Sequence, residues 1–236
     1  MLEIKAAALH YSGVLIFENL SFSLAQGHCL ALLGMSGVGK TSLLRLIAGL
    51  HQSRPQVKTL VSGQVLWQNS SSFQVAYMAQ QDGLMPWLSV LDNVLLPFRL
   101  QGLSLPRAQA KGLLEEVGLL AALHSYPGSL SGGMRQRVAL VRTLLQDAPL
   151  VLMDEPFSAL DAITRLEVQD LAMRLLRAAG KTMVMVTHDP LEALRLADDI
   201  KVLAGHPVHI QDYVRPQACS WQNAYADLLA LLRGAA

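Results

Sequence analysis

Two short glycine-bearing stretches carry the residue types from which phosphate chemistry is built. In "GMSGVGKT", Gly34 to Thr41, the glycines Gly34, Gly37 and Gly39 let the backbone wrap a phosphate chain with its N–H groups turned inward. Lys40 reaches the outer phosphates of such a chain, and Thr41 offers a hydroxyl to Mg²⁺. In "SLSGGMRQR", Ser129 to Arg137, a serine and a glycine pair open a helical pattern. The start of a helix carries partial positive charge and uncovered N–H groups, so this is a second anion-binding construction. It calls for a second phosphate or a second nucleotide.

Two further stretches complete a hydrolytic set. "PLVLMDEP" is an apolar strand ending in two acids. Asp154, at the carboxyl end of that strand, can hold Mg²⁺ through water, and Glu155 can polarise a water for in-line attack on a γ-phosphate. His188 follows another apolar strand in "MVMVTHD". An imidazole there could hydrogen-bond a γ-phosphate, although a histidine in that position on its own is more often a capping or core residue.

These groups need a parallel sheet to present them. β-like segments span Leu2 to Leu9, Leu15 to Leu24 and His28 to Leu33, and the last runs into the glycine loop and then into "KTSLLRLIAGL", a helix closed by Gly49. "SGQVLW" and "FQVAYMAQ" read as two more strands. From about Asp82 to Gln146 the texture turns helical, in "SVLDNVLLPFRL", "RAQAKGLLEEVGLLAAL" and "GMRQRVALVRTLLQ". Strands return at "PLVLMDEP" and "KTMVMVTHD", each followed by a helical pattern. The expected organisation is a P-loop α/β core, residues 1–81 and 147–210, with an N-terminal antiparallel β subdomain. A helical subdomain, 82–146, is inserted in it, and a short helical tail, 211–236, follows.

Composition narrows the class. With 236 residues, 52% apolar and 16% charged, the chain can bury a substantial core, and a formal net charge of +1 gives no sign of a nucleic-acid surface. Every apolar run stops short of the roughly 18–20 residues that a membrane-spanning helix requires. The first residues, "MLEIKAAALHYSG", lack the apolar stretch of a secretory signal. Cys29 and Cys219, in unrelated contexts, read as two buried thiols of a reduced compartment.

The phosphate loop, the carboxylate pair, the "LSGGMRQR" element between them and the final histidine occur in the order found in the ATP-binding cassette (ABC) ATPases, and the sequence resembles that family over nearly its whole length. The resemblance implies ATP and Mg²⁺ as ligands. It adds Ser36 and Ser42 to the phosphate-loop set. It implies that Tyr11 stacks on adenine and that Gln80, in "YMAQQD", touches Mg²⁺ and the attacking water alongside Thr41 and Asp154. Ser131, Gly132 and Gly133 would cap the γ-phosphate of a nucleotide held by a second copy of the chain, with Asp161 of "SALD" at the seam of a head-to-tail homodimer. Glu155, Gln80 and His188 form the implied catalytic set.

Only positions 41–130 separate Lys40 from Ser131, and there is one cassette, so the cassette is neither of the long coiled-coil nor of the tandem kind. A P-loop kinase or GTPase-like switch is disfavoured by the "LSGGMRQR" element, while a non-transport regulatory cassette stays open. "QDGLMPWLSVLDNVLLPF" resembles the corresponding region of importer ATPases of the nitrate, sulfonate, taurine and thiamine-precursor type. That likeness implies two membrane permease subunits docking near Met85, Pro86, Trp87 and Leu88, with a periplasmic or lipoprotein solute-binding protein acting indirectly. Alternatively, Trp87 and Leu88 pack inside their own subdomain. The resemblance further implies a peripheral place on the cytoplasmic face of the inner (plasma) membrane. Its expected cargo is the hydroxymethylpyrimidine precursor of thiamine, with aliphatic sulfonate, taurine or nitrate as the alternative.

Overall fold

The computed structural model describes residues 1–11, 13–50, 59–68, 73–213 and 221–234, and the chain divides into two compact units, Met1–Val75 with Thr182–Ala236, and Ala76–Lys181. Cys219 lies outside the described residues, whereas Cys29 is buried.

In the first unit, β1 (Leu2–Tyr11), β2 (Val14–Leu24) and β4 (Thr59–Trp67) form an antiparallel sheet in the order β2-β1-β4. In β2 the buried Phe17, Leu20 and Leu24 are separated by exposed and half-buried positions, as in a sheet with one wet face, and the strict two-residue alternation breaks at Asn19, whose φ is +50°. A second sheet holds β3 (Cys29–Gly34) between β7 (Thr182–Thr187) and β8 (Asp199–Ala204), all parallel, with β9 (His209–Tyr213) antiparallel to β8. Every residue of β3 and β7 is buried, as continuous apolar runs in a covered parallel sheet require.

Helix α1 (Lys40–Ile47) packs on β3 and β7, and α6 (Pro190–Leu196) packs on the same two strands. The C-terminal helix α7 (Trp221–Gly234) buries Ala224, Leu228 and Leu232 on α6 and β8, and the Tyr213 hydroxyl donates to the Ala224 carbonyl at 3.2 Å. The helix of the C-terminal tail is therefore packed on its own unit.

The second unit contains β5 (Val75–Met78, from Ala76 onward), β6 (Leu150–Asp154) and four helices: α2 (Val90–Leu100), α3 (Arg107–Glu116), α4 (Gly132–Leu144) and α5 (Ala162–Ala178). Helix α4 is central, touching α2, α3 and α5. Ser89 caps α2 reciprocally with Asp92: its hydroxyl accepts the Asp92 N–H at 3.1 Å and donates to the Asp92 carboxylate at 2.7 Å. That bond, aided by the Arg99 charge, holds the Asp92 carboxyl below its usual range.

One helix ends inside a run of apolar periodicity. The pattern "RAQAKGLLEEVGLLAAL" extends to Leu123, but α3 stops at Glu116. Gly118, at φ +69°, takes the left-handed position after the helix. Its N–H bonds the Glu115 carbonyl at 2.9 Å, and the Leu119 N–H bonds the Leu114 carbonyl at 2.7 Å. This is a Schellman closure, which a glycine adopts without Cβ strain. The apolar residues beyond it form a separate 3₁₀ turn, Leu120–Ala122.

Candidate functional site

The phosphate loop leaves β3 and enters α1 within the first unit. Lys40 is only 5% exposed, and its ammonium donates to the Gly34 and Met35 carbonyls at 2.8 Å each, tying the loop into a ring. Gly37 and Gly39 have φ of +82° and +110°. A side chain at Gly39 would also meet Ile16 and Val208, whose nearest atoms lie 3.0 and 3.3 Å from a Cβ built there. Met35, Ser36 and Gly37 face solvent, and Thr41 and Ser42 are half-buried. The first turn of α1 has neither an acidic residue nor a side-chain cap, so its N–H groups and dipole are directed at whatever anion enters the loop. A polyphosphate fits this donor set.

His188 leaves β7 at the edge where the loop leaves β3, because Leu33 is in register with Thr187. The histidine is exposed, and Asp189 beside it caps α6 through the Leu191 N–H at 2.9 Å. Tyr11 is half-buried at the end of β1, opposite Val14 of β2.

The second unit gathers the remaining groups. Asp154 ends β6 at 1% exposure, and Glu155 follows with φ of +49°, a left-handed backbone in a non-glycine residue. The Gln80 amide donates to the Glu155 carboxylate at 3.4 Å, so the structure brings these two together. Ser131 is the N-cap of α4, its hydroxyl accepting the Met134 N–H at 3.2 Å, with Ser131 and Gly132 exposed. Gly133 must be small, since a Cβ there would lie 3.1 Å from the Ala159 carbonyl oxygen. Asp161 is the exposed N-cap of α5, accepting the Thr164 N–H at 3.1 Å, and that bond lowers its pKa.

Four residues that the motif reading passed over hold this unit's loops. Arg142 donates to the carbonyls of Gly83 at 2.9 Å and Asp82 at 2.6 Å, while Arg135 donates to the Asp82 carboxylate at 3.0 Å and the Leu130 carbonyl at 2.7 Å. The segment just after Gln80 is thus clamped to the helix that Ser131 begins. Burial lowers the Arg142 pKa, and the Asp82 charge raises it again. Gln136, 6% exposed, donates to the Glu155 carbonyl at 3.0 Å and accepts the Ala159 N–H at 2.8 Å.

Asn93, fully buried, accepts the Met85 N–H at 2.7 Å and donates to the Met85, Leu88 and Ser89 carbonyls at 3.1, 3.0 and 3.1 Å. The loop it pins carries Trp87, which is 70% exposed and therefore does not pack its own core. The available signal was a polar residue on an apolar helical stripe, as in "VLDNVLL". Replacing Asn93 by Leu takes its side-chain partner from the Met85 N–H and the Leu88 carbonyl, while the Met85 and Ser89 carbonyls keep the Leu88 and residue-93 N–H groups, so we expect a loss of about 1–3 kcal/mol of unfolding free energy, measured by urea denaturation.

The family model described as "ABC transporter" matches residues 17–158. An uncharacterized ABC transporter ATP-binding protein of Haemophilus influenzae is 44% identical over 211 residues, covering 89% of this chain and 84% of that protein. An aliphatic sulfonates import ATP-binding protein of Pseudomonas fluorescens is 40% identical over 239 residues, covering 98% and 86%. A taurine import ATP-binding protein of Yersinia pestis is 39% identical over 209 residues, covering 88% and 81%. Among solved structures, a dimeric post-hydrolysis ATP-binding cassette bound to ADP and Pi superposes with a TM-score of 0.78 at 27% identity, over 92% of this chain and all of that one.

The strand, phosphate loop and helix, with a buried acid ending a second strand, define a P-loop NTPase of the cassette fold. The chain belongs to the ABC transporter family, as an ATPase of that family. None of its described helices is long and apolar enough to cross a membrane.

Proposed function

We propose that this chain is the ATP-hydrolysing subunit of an importer and works as a head-to-tail pair with a second copy of itself. The observation that carries the reading is the exposed, Ser131-capped start of α4, with no acidic residue in its first turn, in a chain that already has a phosphate loop. The dimeric cassette described above supports the pairing.

In this reading Gly34, Ser36, Gly37, Gly39, Lys40, Thr41 and Ser42 grip the triphosphate, and Tyr11 stacks on the adenine. Ser131, Gly132 and Gly133 of the other copy close over the γ-phosphate, with Asp161 at the seam. Glu155 takes a proton from a water as the water oxygen bonds the γ-phosphorus. The bond to the bridging oxygen breaks, and ADP leaves with the electron pair. Gln80 and His188 orient the water and the γ-phosphate.

Among the described residues no group of three or more His, Cys, Asp or Glu could hold a metal ion. The set Thr41, Gln80 and Asp154 offers hard oxygens but one carboxylate, which suits Mg²⁺ held largely by phosphate and water. When bound, that ion neutralises charge developing on the phosphate oxygens.

Cleavage removes the anion that both copies grip, and the pair opens. Trp87 and its neighbours Met85, Pro86 and Leu88 are the proposed landing place for two permease subunits, which puts the chain at the cytoplasmic face of the membrane. For the cargo, the two relatives above that are named for a solute are a sulfonate and a taurine import protein, and this favours an organosulfonate over hydroxymethylpyrimidine.

The test is to purify the complex that this chain forms and to screen its solute-binding component by thermal shift. Taurine or an alkanesulfonate at about 100 times its Kd should stabilise that component by roughly 2.7 kcal/mol. A shift with hydroxymethylpyrimidine alone would restore the pyrimidine cargo. Recovery of an active ATPase that never brings down a membrane subunit would favour a regulatory cassette.

A further inference from the structure

Glu155 sits where a backbone is hardest to hold, with φ of +49° immediately after a buried strand. A base for in-line attack must point one way, so something has to fix the peptide on either side of it. One side chain, together with the Ser158 N–H that donates to the Glu155 carbonyl at 3.4 Å, holds the peptide that follows it. The Gln136 amide donates through Nε2 to the Glu155 carbonyl at 3.0 Å and to the Ser158 hydroxyl oxygen at 3.3 Å. Its Oε1 accepts the Ala159 N–H at 2.8 Å. The Ser158 hydroxyl donates to the same Glu155 carbonyl at 3.1 Å.

A single buried amide thus spans both ends of the turn 155–159, with its donor on the first residue and its acceptor on the last. A primary amide presents N–H donors and an acceptor oxygen side by side in one planar, uncharged group, and Gln has the longer reach of the two amide side chains. The amide is also anchored on a rigid helix, α4, rather than on the turn it holds.

We propose that Gln136 is the positioning residue of Glu155: it does not touch nucleotide or water, but sets the direction in which the carboxylate leaves the strand. The inference rests on the reading of Glu155 as the base.

Gln136→Met keeps the bulk and loses both hydrogen-bonding ends. With the whole chain as a purified ATPase, we expect kcat to fall about 10- to 100-fold while the KM for ATP stays within about twofold. Combined with Glu155→Gln, it should lower the rate no further and leave nucleotide-dependent dimerisation as it is in Glu155→Gln alone.

Gln136→Glu keeps only the acceptor when ionised, but regains an O–H donor when protonated, so its activity relative to wild type should climb as pH falls. Ser158→Ala, at an exposed position, removes one bond to the same carbonyl and should give a smaller fall in kcat, which keeps the proposal testable if Gln136→Met does not fold.

Unchanged kcat in Gln136→Met, a raised KM with lost dimerisation, or a loss that adds fully to that of Glu155→Gln would each overturn the proposal. Wild-type turnover in Glu155→Gln by itself would instead sink the base assignment, in a protein whose Gln136 is intact.

Discussion

Glu155→Gln is expected to bind ATP normally, to turn it over about 10²- to 10⁴-fold more slowly, and to accumulate as a nucleotide-bound dimer. The substitution keeps the shape of the side chain and can keep a hydrogen bond to the Gln80 amide, which lies 3.4 Å from the carboxylate. What it removes is the capacity to accept a proton from water. The groups proposed to grip the triphosphate, among them Lys40 and the N–H groups opening α1, are untouched. Phosphate release gives the rate, and size-exclusion chromatography with light scattering in saturating ATP gives the mass. A chain that stays monomeric under those conditions contradicts the proposed closure on the γ-phosphate.

The second large effect is a loss that a partner can repair. Lys40→Ala removes the ammonium that ties the phosphate loop and that is proposed to reach the outer phosphates. Truncating one member of such a desolvated charge pair costs about 2–5 kcal/mol, or roughly 30- to 4000-fold in affinity, so calorimetry should find ATP binding all but abolished. Ser131→Arg removes the α4 cap, about 1 kcal/mol of local stability, and places a bulky side chain where the helix end should meet an anion. Each variant alone should neither dimerise with ATP nor hydrolyse it. Mixed, they can form a pair with one intact site, the Lys40 loop of one copy facing the Ser131 helix end of the other. Recovery of ATP-dependent dimerisation and of a fraction of the activity is the expected result; no recovery at any ratio argues against capping between copies.

The parts of this fold that were legible in the sequence are those written in local spacing. The phosphate loop has a fixed spacing between strand and helix, and β3 and β7 announce themselves as unbroken apolar runs bounded by polar residues. The end of α3 is not written in its periodicity, because apolar residues continue past Gly118, and the two closing hydrogen bonds show where the chain leaves the helix. Gln136 and Asn93 were passed over for a different reason. The partners of Gln136 lie 19 to 23 residues away, a separation that no window of periodicity spans. Asn93 bonds backbone groups of a loop four to eight residues back, where sequence alone gives no cue to loop shape. Trp87 could be read either way, since an aromatic in an apolar stretch suits a core as well as a docking surface; its exposure removes the core reading.

The four hydrogen bonds of Asn93 also bear on how fast a partner could be engaged. A loop whose backbone is already fastened has little conformational freedom left to surrender on contact, so the indole of Trp87 is offered as a preformed knob. Encounter then becomes a matter of orientation rather than of waiting for a rare loop shape, and assembly should proceed in one kinetic phase whose rate follows partner concentration.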